Sequence, residues 1–183
     1  MYLKKYNHFS LVTSLILCGA CILYILGNKA IITNNTETVT TETSVDVSTL
    51  EECELVRVVD GDTIIVLQDT EEIYVRLIGI DTPESVNPDE SKNTEEGIQA
   101  SEHTKELLSD VDTVYLEYDV ETEDDYGRTL AYVYYYNADN NCIMLNEKIM
   151  ADGYADTLTI QPNTKYASVF ERYVKEENKE IAK

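Results

Sequence analysis

Two short acidic signatures, Asp60-Gly61-Asp62-Thr63 and Asp81-Thr82-Pro83-Glu84, stand at the two ends of a strand–turn–strand segment, with Arg76 between them. Carboxylates repel one another when crowded, and a cation is the usual partner that makes such crowding tolerable. No Cys or His stands near them in sequence. The candidate donors are therefore all hard oxygens, which suit Ca2+ better than Zn2+.

The elements that must bring these residues together are legible in outline. Strand 63–67, turn 68–72 and strand 73–79 read as an antiparallel hairpin. Its open end should set Asp62 beside Asp81, with Glu84 just beyond. A strand over 54–59 precedes it. Pro83 and Pro88 bracket an irregular loop, and Asn93 or Thr94 can cap a helix over about 95–108. Strands 113–119 and 129–136 follow, joined by an acidic turn, and Gly153 stops a helix over 143–152. Residues 164–182 carry Tyr166, Val169, Phe170, Tyr173 and Val174 at helical spacing. Three strands, a helix, two strands and further helices are the layout of a mainly β, five-stranded OB-fold barrel with about three helices.

The remainder of the 183 residues divides into two appendages. Phe9 to Gly27 is an uncharged, largely apolar run of nineteen residues behind Lys4 and Lys5. At about 1.5 Å per residue it just matches a hydrocarbon core of about 30 Å. Positive charge ahead of the run keeps that end cytoplasmic and the rest of the chain outside. Residues 1–30 are thus expected to be a signal peptide or an N-terminal membrane anchor. Retained anchor, cleaved signal and lipid attachment at Cys21 all stay open, because Asn28-Lys29-Ala30 is a poor cleavage site and Cys18 stands where a lipobox has Leu. Residues 31–50, rich in Thr, Ser and Asn, are expected to form a flexible linker, and Asn34 fits a glycosylation triplet. Residues 51–183 are expected to be the globular domain, monomeric and extracytoplasmic.

Four segments in order carry a family resemblance: VVDGDT (58–63), VRLIGIDTPES (75–85), DDYGRTLAYVY (124–134) and MLNEKIMADGYA (144–155). The chain resembles the staphylococcal nuclease, or thermonuclease, family over about residues 54–182. The resemblance implies that Asp62, Asp81 and the backbone carbonyl of Thr82 bind Ca2+. It further implies that Glu84 positions or deprotonates the attacking water, and that Arg76 and Arg128 hold the scissile phosphodiester. Such enzymes cleave DNA and RNA to 5′-hydroxyl and 3′-phosphate ends. The residue types agree with those roles. A phosphodiester repels hydroxide until its charge is neutralised, and two planar guanidinium forks match phosphate oxygens bidentately. Tyr126, next to the loop arginine, is a candidate for stacking on a base or contacting a phosphate. His8 and His103 are not expected to take part.

Charge is the sharpest departure from that family. Three of the 14 basic and three of the 35 acidic residues precede residue 51, so the globular part carries the full net charge of −21. Its long-range field repels nucleic acid, and weak, strongly screened binding is expected. Asp125 sits where a basic residue would help hold a phosphate, and segment 154–160 (YADTLTI) lacks the tyrosine pair often found there. Cys53 and Cys142 either pair as a disulfide or remain two thiols. A non-catalytic OB-fold module binding nucleic acid or protein is the alternative to an enzyme. Against it stands the full set Asp62, Arg76, Asp81, Glu84 and Arg128.

Overall fold

The computed structural model describes residues 45–86 and 88–181. The hydrophobic run, the glycosylation triplet, Cys21 and most of the expected linker lie outside the described residues. The chain separates into the units Met1–Ser44 and Val45–Lys183, and the second holds everything below.

Among the described residues, eight strands and three α-helices build this unit. Strands β1 (Glu51–Asp60), β2 (Thr63–Gln68) and β3 (Glu71–Leu77) form an antiparallel meander, and β4 (Gly79–Asp81) follows a short bend. Helix α1 (Glu95–Leu107) leads to β5 (Thr113–Glu117), β6 (Thr129–Tyr136) and β7 (Cys142–Met144). Helix α2 (Leu145–Ala151), β8 (Asp156–Leu158) and α3 (Ala167–Ile181) complete it. The main sheet runs β3-β2-β1-β5-β6-β7, and a parallel pairing of β3 with β6 closes its five long strands into a barrel. This is the expected OB architecture.

Closure depends on β1, which pairs with β2 through Glu54–Asp60 and with β5 through Glu51–Glu54. Two register shifts, at Leu55/Arg57 and Val58/Asp60, bend it from one neighbour to the other, the usual way a bulge turns a barrel corner. The apolar run of β2 has Thr63 to Val66 buried, as befits a strand covered on both faces. Ile64, Val66, Val75, Leu77, Val114, Leu116, Ala131 and Val133 fill the interior, with Leu145 and Ile149 of α2 and Phe170 of α3 packed against them. Buried Asn146 fixes α2 to the barrel: its amide donates to the Ile78 carbonyl at 2.9 Å, and its oxygen accepts from the Val133 amide at 2.9 Å.

Of the β6 tyrosines, Tyr132, Tyr134 and Tyr135 are buried in the core, while Tyr136 is exposed. The Tyr134 hydroxyl donates to Glu117 at 2.8 Å and lies 3.1 Å from the Tyr166 hydroxyl, so Glu117 joins β5 and β6 to the entry of α3. Cys53, buried, and Cys142, exposed, are both free thiols. Burial, and the nearby Glu51, Asp69 and Glu52, push the Cys53 thiol up to about 11. His103, half-buried, stacks on Tyr154 with ring centroids 4.1 Å apart and bonds Asp152 at 2.8 Å, tying α1 to the end of α2.

Candidate active site

Hairpin register alone does not bring the acidic signatures together. The ladder pairs Thr63 with Arg76 and Gln68 with Glu71, so the turn is residues 69–70, and the Asp62 carbonyl accepts from the Leu77 amide at 2.9 Å. Asp62 therefore faces Leu77 rather than Asp81. The chain bends after Leu77 and runs back as β4, whose short ladder with β8 sets Asp81 opposite Asp156.

Arg76 links the two carboxylates. Its Nη2 lies 2.8 Å from Oδ1 of Asp81 and 3.1 Å from Oδ2 of Asp62. Nη1 donates to the carbonyls of Leu77 and Ile80, each at 2.8 Å. Arg76 is 9 % exposed, and its guanidinium belongs to the wall of the site. Asp62 is oriented further by the Thr63 hydroxyl at 3.0 Å and the Thr82 amide at 3.0 Å. Asp81 is the more open carboxylate. Burial is the strongest influence on it and raises its pKa above 3.8, Arg76 opposes this, and the charges of Asp62 and Asp156 add to the rise. The net effect is upward, as expected of crowded acids.

Among the described residues, no three of His, Cys, Asp or Glu are grouped closely enough to hold a metal alone. A cation here must complete its shell with neutral oxygens and share both carboxylates with Arg76. The donor set permits this, because carboxylate, carbonyl and hydroxyl oxygens are the hard ligands that Ca2+ takes. One of them is also unsatisfied: the buried Oγ1 of Thr82 has no hydrogen-bond partner among the described residues. Buried hydroxyls are rarely left so, and an ion or an ordered water would complete this one.

Arg128 approaches from the β5–β6 loop. Asp124 accepts from its Nε at 2.7 Å and lies 2.7 Å from its Nη2, while also accepting from the Tyr126 and Arg128 amides. Burial alone would raise the Asp124 pKa. The Arg128 amide and side chain and the Tyr126 amide outweigh it and hold the carboxyl below 3.8. Asp124 is thus the brace of Arg128, a role that its place in an acidic turn did not reveal. The Arg128 guanidinium also sits 5.5 Å from the centre of the Tyr126 ring, which is 85 % exposed.

These residues share a cleft of about 670 Å3, lined by Asp62, Arg76, Asp81, Thr82, Glu84, Tyr126 and Arg128. All seven predicted site residues are therefore gathered at one place. Sequence reasoning missed the apolar lining of this cleft. Exposed Tyr74, Val86, Leu158 and Ile160 also line the cleft, where an unstacked base could lie. Buried Asn163 anchors the 158–163 segment by bonding both the amide of Glu121, at 2.8 Å, and its carbonyl, at 2.9 Å.

Comparison with known proteins relates the chain to a family. A family model described as staphylococcal nuclease homologue matches residues 74–181. Thermonuclease of Staphylococcus hyicus is 42% identical over 125 residues, covering 68% of this chain and 70% of that protein. Thermonuclease of Staphylococcus intermedius is 44% identical over 123 residues, covering 67% and 69% respectively. Endonuclease YncB of Bacillus subtilis is 36% identical over 116 residues, covering 62% of this chain and 52% of that protein.

Proposed function

The chain belongs to the staphylococcal nuclease family and is a nuclease of that family, and from this premise we propose that it is an extracytoplasmic, Ca2+-dependent endonuclease of DNA, RNA or both. The observation that carries the reading is the joint placement of Asp62, Arg76 and Asp81 in one cleft with Glu84 and Arg128. Asp62, Asp81 and the Thr82 carbonyl would hold the cation, which when bound neutralises charge on the phosphodiester and favours attack on phosphorus.

The protein groups divide the remaining work. Arg76, fixed on both carbonyl and carboxylate acceptors, supplies positive charge that needs no reorganisation as charge develops on the transferring phosphoryl oxygens. Arg128, held by Asp124, faces the same cleft and can grip the phosphate from the other side. Glu84 orients a water and takes its proton as the water oxygen bonds to phosphorus. The bond from phosphorus to the 5′ oxygen breaks and that oxygen takes a proton from solvent water in the open cleft, leaving a 3′-phosphate and a 5′-hydroxyl, while Glu84 later returns its proton to solvent. A general base contributes typically about 10²–10⁴-fold. Tyr126 offers an exposed ring beside this phosphate position for a base or sugar.

Residues 1–30 serve as signal or anchor, 31–50 as tether and 51–183 as the monomeric nuclease domain. The uncharged run behind Lys4 and Lys5 supports an extracytoplasmic location. The test is digestion of single-stranded DNA, duplex DNA and RNA by the full chain, with Ca2+ and with chelator, followed by end-group analysis. Cleavage that needs Ca2+ and leaves 5′-hydroxyl ends is expected. Equal cleavage in chelator would remove the cation from the mechanism, and binding without cleavage would favour the module reading. Membrane fractionation with N-terminal analysis of the mature protein tests the location.

A further inference from the structure

Glu84 lies outside regular structure, between Pro83 and a loop, so a water-orienting role requires that something else fix its backbone. Three contacts do so. Ser85 donates its hydroxyl to Oδ1 of Asp60 at 2.6 Å and its amide to Oδ2 at 3.4 Å. Asp60 is buried at the end of β1, and its Oδ1 also accepts from the Gly61 amide at 2.8 Å. The Glu84 carbonyl in turn accepts from the amide of Thr94, the cap of α1, at 2.9 Å.

Gly97 makes the third contact by lacking a side chain. A Cβ at this position would lie 2.1 Å from the Glu84 carbonyl oxygen and 2.8 Å from that of Pro83. Both are backbone atoms and cannot swing aside as a flexible side chain would. Glycine inside a helix costs about 1 kcal/mol relative to alanine, so helix propensity argues against it here. Its presence lets the first turn of α1 seat directly on the Pro83–Glu84 backbone. Asp60 on one side and α1 on the other thus clamp the loop at Ser85 and at Glu84 itself.

We propose that Gly97 and the Asp60–Ser85 pair are positioning residues that set the Glu84 carboxylate for attack, an inference that rests on the reading of Glu84 given above. A displacement of about 1 Å at such a group costs on the order of 10²-fold in rate. The test is a set of double-mutant cycles in the full chain, reading kcat and KM on single-stranded DNA and Ca2+ affinity by calorimetry. Gly97→Ala should lower kcat about 10–100-fold and Ser85→Ala about tenfold, with KM and Ca2+ affinity changed less than about threefold, and Ser85→Thr should retain activity. In a Glu84→Gln background each change should cost less than about threefold, because there is no longer a carboxylate to misplace. Melting curves identify any variant that fails to fold, and Ser85→Ala carries the test if Gly97→Ala does. Unchanged kcat in Ser85→Ala, full losses repeated in the Gln background, or a parallel loss of Ca2+ affinity would each overturn the proposal. If Glu84→Gln alone left kcat unchanged, the role of Glu84 would fall and the positioning claim with it.

Discussion

Asp81 receives a 2.8 Å hydrogen bond from Nη2 of Arg76, the nitrogen that also approaches Asp62. The arginine therefore does more than bring charge to a substrate. It stands between the carboxylates that would hold the cation, and its other terminal nitrogen is committed to two backbone carbonyls. Arg76→Lys keeps the charge but cannot reproduce this fork. The expected result is a fall in kcat/KM of about 10²-fold or more, in line with loss of a fixed transition-state donor, and a lower melting temperature as buried carbonyls lose their donor. Kinetics and thermal melts on the same sample check both. Near-normal activity in the lysine variant would mean that charge alone suffices.

Crowding of acids makes a second prediction, about stability. The folded pKa of Asp81 is raised above 3.8, so its contribution favours the fold below that value and is lost as pH rises through the folded value. At neutral pH the ionised group weakens the cation-free fold. Asp81→Asn should therefore melt a few degrees higher than wild type in chelator at pH 7 while losing most activity. Ca2+ at about 100 times its dissociation constant stabilises a single-site protein by about 2.7 kcal/mol, and the variant should lose that gain. A lower melting temperature in chelator would show that the hydrogen bond to Arg76 outweighs the repulsion.

Asp124 predicts the opposite pH behaviour. Its folded pKa is depressed, so its contribution is present above 3.8 and lost as pH falls through the folded value. Wild type should lose melting temperature more steeply below pH 4 than Asp124→Asn. At neutral pH the asparagine variant should lower kcat/KM by about tenfold or more, because Arg128 is no longer braced by a charge-assisted bond. Identical acid melts for the two proteins would remove Asp124 as the source of that dependence.

What the sequence revealed followed from local chemistry. The apolar runs of β2 and β6, the Thr94 cap and the Gly153 stop are local signals, and each sits where the structure has it. Asp62 and Asp81 were rightly expected as neighbours, but hairpin register was the wrong reason. The bend after Leu77, the β4–β8 ladder and the Arg76 bridge bring them together, and all three depend on tertiary contacts. The bracing contacts of Asp124, Asn163 and Asp60 are illegible in the sequence for the same cause. Asp and Asn are so common in turns that only the partner each finds in space separates a brace from an ordinary turn residue.

Gly79, the first residue of β4, gives a prediction about the bend that precedes it. Its φ is +87°, and a Cβ there would lie 2.3 Å from Cε2 of the buried Phe170 ring. Gly79→Ala combines backbone strain with overpacking, each typically about 1–3 kcal/mol. A loss of about 2–5 kcal/mol by denaturant unfolding is expected. A loss under about 1 kcal/mol would mean that Phe170 and α3 can shift away freely.

The charge of the domain leads to a prediction about salt. The domain carries a net −21, and among the described residues that line the cleft the only basic side chains are Arg76 and Arg128. Counterion release scales the fall of log affinity with log salt by about 0.7 per phosphate neutralised on a single strand and about 0.9 on a duplex. Two arginine contacts then limit the slope to about 1.4–1.8, far shallower than for a nuclease with a basic face. Added monovalent salt also screens the repulsion between the acidic surface and the substrate, which flattens the slope further. Measured at saturating Ca2+ between about 50 and 200 mM salt, log KM should rise with log salt at a slope below about 2. A slope near 5 or more would demand several additional phosphate contacts and would show that a basic path to the cleft had been overlooked.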